Sequence, residues 1–147
     1  MPGTETLIRD LADLTARAEL ADLVARHSLW IDEGRFDETD RLFTPDVVVR
    51  SLRGEARGIE ALVALARRGH DDLARTLHHK SNLVIEIDGE TATVRAHDIA
   101  VFVNDDKTQA IAAAIHRYGA RRTEAGWRFD SLDITPVALT GPLARAL

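Results

Sequence analysis

The hydrophobic period of this chain changes near its middle, and that change limits the folds open to it. Before about residue 80, apolar residues mostly recur at the i, i+3, i+4, i+7 spacing of helices. After it they follow the alternation of strands. Helices followed by a meander of four strands indicate an α+β fold, with helices packed on one face of an antiparallel sheet.

Local signals divide the two halves. Residues 7–14 form a short periodic piece, and Thr15 is placed to cap a longer helix that reaches about Glu33 and ends at Gly34. Residues 35–43 form a short amphipathic piece stopped by Thr44-Pro45. Val47-Val48-Val49 reads as a short strand. Gly58 opens another helix with Ile59, Leu62, Val63 and Leu65 on its apolar face; Gly69 interrupts it and residues 71–77 resume it. Strands are expected over 80–87, 91–103, 109–122 and 127–135. Asp88-Gly89, the turn Asn104-Asp105-Asp106-Lys107 and Glu124-Ala125-Gly126 join them. Residues 1–147 read as one domain with a core over 7–138 and a loosely docked tail over 139–147.

Composition excludes several function classes. Charge is interspersed with a net of −5, and aromatics make up 5%. A basic stripe with stacking aromatics is therefore missing, and nucleic acid is not expected as a partner. The sequence has no cysteine, which removes disulfides, thiolate zinc sites and a cysteine nucleophile. Residues 1–6 show neither a basic nor an apolar signal region, and no apolar run is long enough to span a bilayer. A cytoplasmic location without membrane partners is the expectation.

Asp32 stands out within the long helix. Glu19, Asp22, Arg26 and Glu33 share a polar arc, while Leu20, Leu23, Val24, His27 and Ile31 form the packing stripe. Asp32 instead extends a face of small residues, Ala18, Ala21, Ala25 and Ser28, where another element or a ligand can approach. A carboxylate buried there needs a partner, because an unpaired one costs several kcal/mol, on the order of an uncompensated charge. The bland alternative is a solvated residue at a helix end.

Three stretches, LTARAELADLVARHSLWIDEGRFDETDRLFTPDVVV, TLHHKSNLVIEIDGETATV and EAGWRF, together resemble the SnoaL-like branch of the nuclear transport factor 2-like superfamily in order and spacing. The resemblance covers nearly the whole chain. It implies a cone-shaped α+β barrel, a curved sheet whose helices close an apolar pocket. The family hosts dehydratases, isomerases, cyclases, dehydrochlorinases, epoxide hydrolases and non-enzymatic domains, so it constrains fold more than function.

The branch that includes scytalone dehydratase, hexachlorocyclohexane dehydrochlorinase and bile-acid dehydratase carries an Asp–His dyad. By resemblance its positions fall on Asp32 and His78, with His79 as the neighbour to be told apart. The ketosteroid isomerase base and oxyanion acid fall on Ser51 and Ala114, so that chemistry is not expected. The dehydrochlorinase arginine falls on Leu132, and a helix position that is Lys or Tyr in relatives falls on His27. Arg95 and Asp98 do not reproduce the epoxide hydrolase spacing.

A carboxylate bonded to one imidazole nitrogen fixes the tautomer and stabilises the imidazolium once the other nitrogen takes a proton. Such a base suits elimination, isomerisation or aldol-type cyclisation without a cofactor. The reading is a lyase or isomerase with Asp32 and His78 catalytic, acting on an apolar cyclic molecule of polyketide or steroid type. Trp30, Phe43, Leu62, Leu65 and Phe129 are expected to line the pocket, and His27, Asn82, His116 and Tyr118 to anchor polar groups. His27, His78, His79 and His116 all stay open as the base, and so does the inward face of the strand over 91–103. No histidine pair has metal-ligand spacing, and no metal is expected. The alternatives are a non-catalytic binding or assembly domain, and a hydrolase activating water with Asp32 or Asp98. The apolar outer face of the sheet, with Val84, Val94, Val101 and Ile111, predicts a homo-oligomer, dimer or trimer.

Overall fold

The structure is a computed structural model that describes residues 1–71, 75–104 and 109–140. It opens on one continuous helix, α1 (Thr4–Asp32), rather than two pieces joined at Thr15. No Gly or Pro interrupts that stretch, and the Thr15 hydroxyl is satisfied within the helix, donating to the Leu11 carbonyl at 2.8 Å. The second half of α1 buries Leu20, Leu23, Val24, His27 and Trp30, as its periodicity predicts. The polar arc is exposed, and Asp22 and Arg26 pair across it at 2.6 Å. The first turns behave differently: Leu7, Ile8, Leu11 and Leu14 are all exposed. Of the small-residue face, Ala18 and Ala25 are exposed while Ala21 and Ser28 are half-buried. Gly34, with φ +63°, ends the helix in the left-handed conformation that glycine adopts without penalty.

A short 3-10 helix (Phe36–Arg41) replaces the expected amphipathic piece, and Phe43 already opens strand β1 (Phe43–Ser51). Strand β2 (Gly54–Arg57) folds back on β1; its short polar sequence gave no strand signal. Helix α2 (Ile59–Asp71) runs through Gly69, and Leu77, expected in a resumed helix, lies in strand β3 (Arg75–Asp88). The sheet is completed by β4 (Thr91–Val103), β5 (Gln109–Thr123) and β6 (Gly126–Leu139). The β3–β4 hairpin turns where Asp88-Gly89 predicts, with Gly89 at φ +60°. Most of the polar turn after β4, and residues 141–147 of the expected tail, lie outside the described residues.

The six strands form one curved, unclosed sheet in the order β2-β1-β6-β5-β4-β3. All neighbours are antiparallel except β1 and β6, which run parallel. α1 lies against β3 and α2 against β1 and β2, so both helices cover the concave face.

Strand parity decides which side chains reach that face. In β4 the buried set is Ala92, Val94, Ala96, Asp98, Ala100 and Phe102, which places Asp98 inward and His97 outward. Val94 is therefore core, not outer face: only 1% of it is exposed. The outer face does carry an apolar row, Leu77 opposite Val101 and Val101 opposite Ile111. In β3 the register shifts between Ser81 and Val84, and Asn82 takes φ 53°. This bulge adds one unpaired step, so His78 and Lys80 lie on the less exposed side before it, and Leu83, Ile85 and Ile87 after it.

Candidate functional site

The concave face and the helices enclose a cavity of about 200 Å³, bounded by the end of α1, by α2, and by the inner faces of β1 and β3 to β6. Ala100, Ala112 and Ala114 form its floor, and these small side chains leave the space open. Trp30, Leu62 and Leu65 line it as expected. Phe43 and Phe129 do not. Both are fully buried behind the wall, Phe43 edge-on to His27 and Phe129 stacked on Tyr118. Asn82 is also absent from the lining, because the bulge turns it outward and leaves it exposed.

His78 enters the cavity wall from β3, and Asp32 stands behind it at the end of α1. The His78 Nδ1 is 2.6 Å from Asp32 Oδ1. The same carboxylate accepts the His78 backbone N–H at 2.9 Å and the Thr76 hydroxyl at 2.9 Å. Three donors converge on one carboxylate, fixing the imidazole with Nδ1 toward Asp32. Nε2 has no protein partner among the described residues, and Phe102 packs edge-on against the ring. His79 points the other way and is exposed.

A second polar group lies deeper. Lys80 Nζ sits 2.8 Å from Asp98 Oδ1, with both side chains about 95% buried. His116 Nε2 is 3.4 Å from Asp98 Oδ2, and His116 Nδ1 is 3.3 Å from the Tyr118 hydroxyl. That hydroxyl is in turn 2.8 Å from His27 Nδ1. Tyr118 is thus a buried link between two histidines rather than part of the cavity lining, whereas His27, His116 and Asp98 all line it.

Burial dominates the charge states of this group. It lowers His27 well below the usual histidine range, with the Lys80 charge adding to the effect. It lowers His116 as well, against the opposing bond to Asp98. It raises the Tyr118 phenol well above its usual range. For Asp98, burial alone favours the neutral acid, but the His116 bond and the Lys80 charge outweigh it and hold the carboxyl well below the ordinary carboxylate range. Lys80 is lowered by burial, opposed by Asp98. At neutral pH the network therefore holds one carboxylate and two neutral histidines.

Sequence reasoning missed Lys80. Period-two parity from His78 would have put it on the same face, but the strand was expected to begin only at Lys80 itself. Thr76 was missed for the same reason. Arg53, from the β1–β2 turn, and His70, near the end of α2, also line the cavity. Among the described residues, no cluster of three or more His, Asp or Glu side chains is arranged to hold a metal ion.

Comparison with known proteins places this fold among relatives. Residues 12–133 match the SnoaL-like domain. An uncharacterised protein of Mycobacterium tuberculosis is 28% identical over 122 residues, covering 80% of this chain and 83% of that protein. The crystal structure of an NTF2-like protein with a cystatin-like fold from Novosphingobium aromaticivorans superposes with a TM-score of 0.82 at 25% identity, covering 99% of this chain and 96% of that one. Hexachlorocyclohexane dehydrochlorinase LinA-type3 from Novosphingobium barchaimii superposes with a TM-score of 0.79 at 18% identity, covering 89% and 92%.

Proposed function

The chain belongs to the SnoaL-like domain family, and from that premise we propose that it is a cofactor-independent lyase or isomerase of the dehydratase or cyclase type. His78 is the base, Asp32 its orienting partner, and the substrate an apolar cyclic small molecule. One observation carries the reading: a cavity-lining imidazole whose Nδ1 is held by a carboxylate at 2.6 Å while Nε2 has no protein partner among the described residues. Nε2 takes a proton from carbon beside a carbonyl or a leaving group. The C–H electron pair forms an enolate, or forms the new double bond as the carbon–leaving-group bond breaks and its pair departs with the leaving group. Asp32 stabilises the imidazolium, which can return its proton to a departing hydroxyl. A cavity of about 200 Å³ suits a ring-sized ligand; one of about 150 Å³ holds benzene.

The hydrolase alternative is weaker, because neither carboxylate is free to activate water. Asp32 already accepts three hydrogen bonds, and Asp98 is held between Lys80 and His116. The fold neighbour LinA-type3 is a dehydrochlorinase, which adds support for elimination chemistry.

The test starts from cyclic carbonyl compounds selected by thermal shift. Wild-type protein in D2O is expected to exchange the acidic C–H of a bound compound, and His78→Gln to bind it without exchange. Exchange that persists in His78→Gln would remove His78 as the base. Binding with neither exchange nor turnover in the wild type would leave a ligand-binding domain.

A further inference from the structure

The Tyr118 hydroxyl has two histidine neighbours, His27 Nδ1 at 2.8 Å and His116 Nδ1 at 3.3 Å, but only one hydrogen to give. Its direction follows from the far end of the chain. The Asp98 carboxylate only accepts, so His116 Nε2 carries a hydrogen toward it. A neutral His116 then offers a lone pair at Nδ1. Tyr118 donates there and accepts from His27 Nδ1–H. This leaves His27 Nε2 as a bare lone pair on a ring that lines the cavity.

We propose that His27, Tyr118, His116 and Asp98 form a proton relay that takes a proton at His27 Nε2 from a hydroxyl group of the ligand and returns it there. The ligand O–H bond breaks and its hydrogen binds His27 Nε2, leaving the electron pair on the ligand oxygen. The Nδ1 hydrogen of His27 passes to Tyr118, and the Tyr118 hydrogen passes to His116 Nδ1. The products are a ligand oxyanion and a His116 imidazolium, with no electron gained or lost. The relay also reverses polarity: His27 Nε2, an acceptor at rest, becomes the donor that holds the oxyanion.

The surroundings favour this end state over a charge on His27. His27 is buried in α1 and faces the Lys80 charge and two other histidines, His78 and His116, with the Asp98 carboxylate opposing them as the smallest of these influences. His116 faces Lys80 and His78 from β3 as well, but it also meets the Asp98 carboxylate from β4 at 3.4 Å. A charge at His116 therefore meets the Asp98 carboxylate directly, although it shares that carboxylate with Lys80, whereas a charge at His27 has no carboxylate in contact among the described residues. The ligand class that fits is a ring with an acidic hydroxyl, a phenol or an enol. The inference deepens the proposed reading only in placing a ligand in the same cavity; it does not depend on His78 acting as base.

The experiment uses the full chain, 15N-labelled at histidine, with 4-nitrophenol as probe and 4-nitroanisole as the analogue without a donor. In the free protein at neutral pH, 15N shifts are expected to report His27 with hydrogen on Nδ1 and His116 with hydrogen on Nε2. Bound nitrophenol is expected to absorb as the anion at a pH where the free dye is neutral, with the second proton on His116. Nitroanisole is expected to bind about tenfold more weakly. Tyr118→Phe should abolish the dye ionisation, while His78→Gln should keep it, which separates this inference from the catalytic role of His78. Hydrogen on His27 Nε2 at rest, a bound dye that stays neutral, or a second proton residing on His27 would each overturn the relay. The wild-type measurements decide it even if Tyr118→Phe does not fold.

Discussion

Asp32 carries two kinds of load, and a substitution there separates them. Its carboxylate orients the His78 ring and also ties α1 to β3 through the His78 backbone N–H and the Thr76 hydroxyl. Asp32→Asn is expected to slow turnover by a factor on the order of 10²–10⁴. It is also expected to cost about 1–3 kcal/mol of stability, because the amide replaces one acceptor with a donor. Turnover assays and thermal melts on the same samples check both. A lowered melting temperature with unchanged turnover would reduce Asp32 to a structural tie. The buried histidines add a pH dependence. His27 and His116 have lowered values in the fold, against about 6.5 in the unfolded chain. Below about pH 6.5 the unfolded state takes up protons that the folded state refuses, so stability is full above that pH and falls as pH drops through it. Melting temperatures from pH 8 to pH 5 should decline from about 6.5 downward; a flat profile would mean these rings are not neutral in the fold.

At the level of elements, β4 was legible almost to the residue, because its alternation has no breaker and turn signals flank it. Its inward face was not legible: both parities carry an ionisable residue and apolar partners, and only pairing with β3 and β5 decides between them. α1 was read as two helices because Thr15 has the chemistry of a cap, yet a threonine hydroxyl can equally bond the carbonyl four residues back. The Asp32–His78 pair came from resemblance. Lys80 and the inward place of Asp98 were hidden with the ends and parity of β3 and β4. The β3 bulge was unreadable, since nothing in SNLV marks an extra residue. Asn82 tolerates its φ of 53° because its short polar side chain accepts the left-handed region. Asn82→Val is expected to cost about 1–3 kcal/mol, and Asn82→Gly very little. Denaturant midpoints of the two variants check this, and equal midpoints would mean the bulge relaxes.

For the whole molecule, the outer sheet face remains open to a partner. Leu77 and Ile111 are exposed at the two ends of a cross-strand row through Val101, with Ile99 beside them. The expectation is self-association through this face. Light scattering at micromolar concentration should give a mass above that of the 16.2 kDa monomer, and Ile111→Lys should lower it. A monomer mass for the unmodified chain would refute the expectation.

The position of α1 has a consequence for solubility. β3 ends the sheet, and a strand with free backbone groups is a template on which another chain can add. Two of those groups are already taken by side chains of α1: the His78 N–H by Asp32, and the Ile85 carbonyl by Arg17 at 2.7 Å. Between them the bulge breaks the straight run that an incoming strand would need. The carboxylate that orients an imidazole thus also helps keep the last strand of the sheet from recruiting a neighbour.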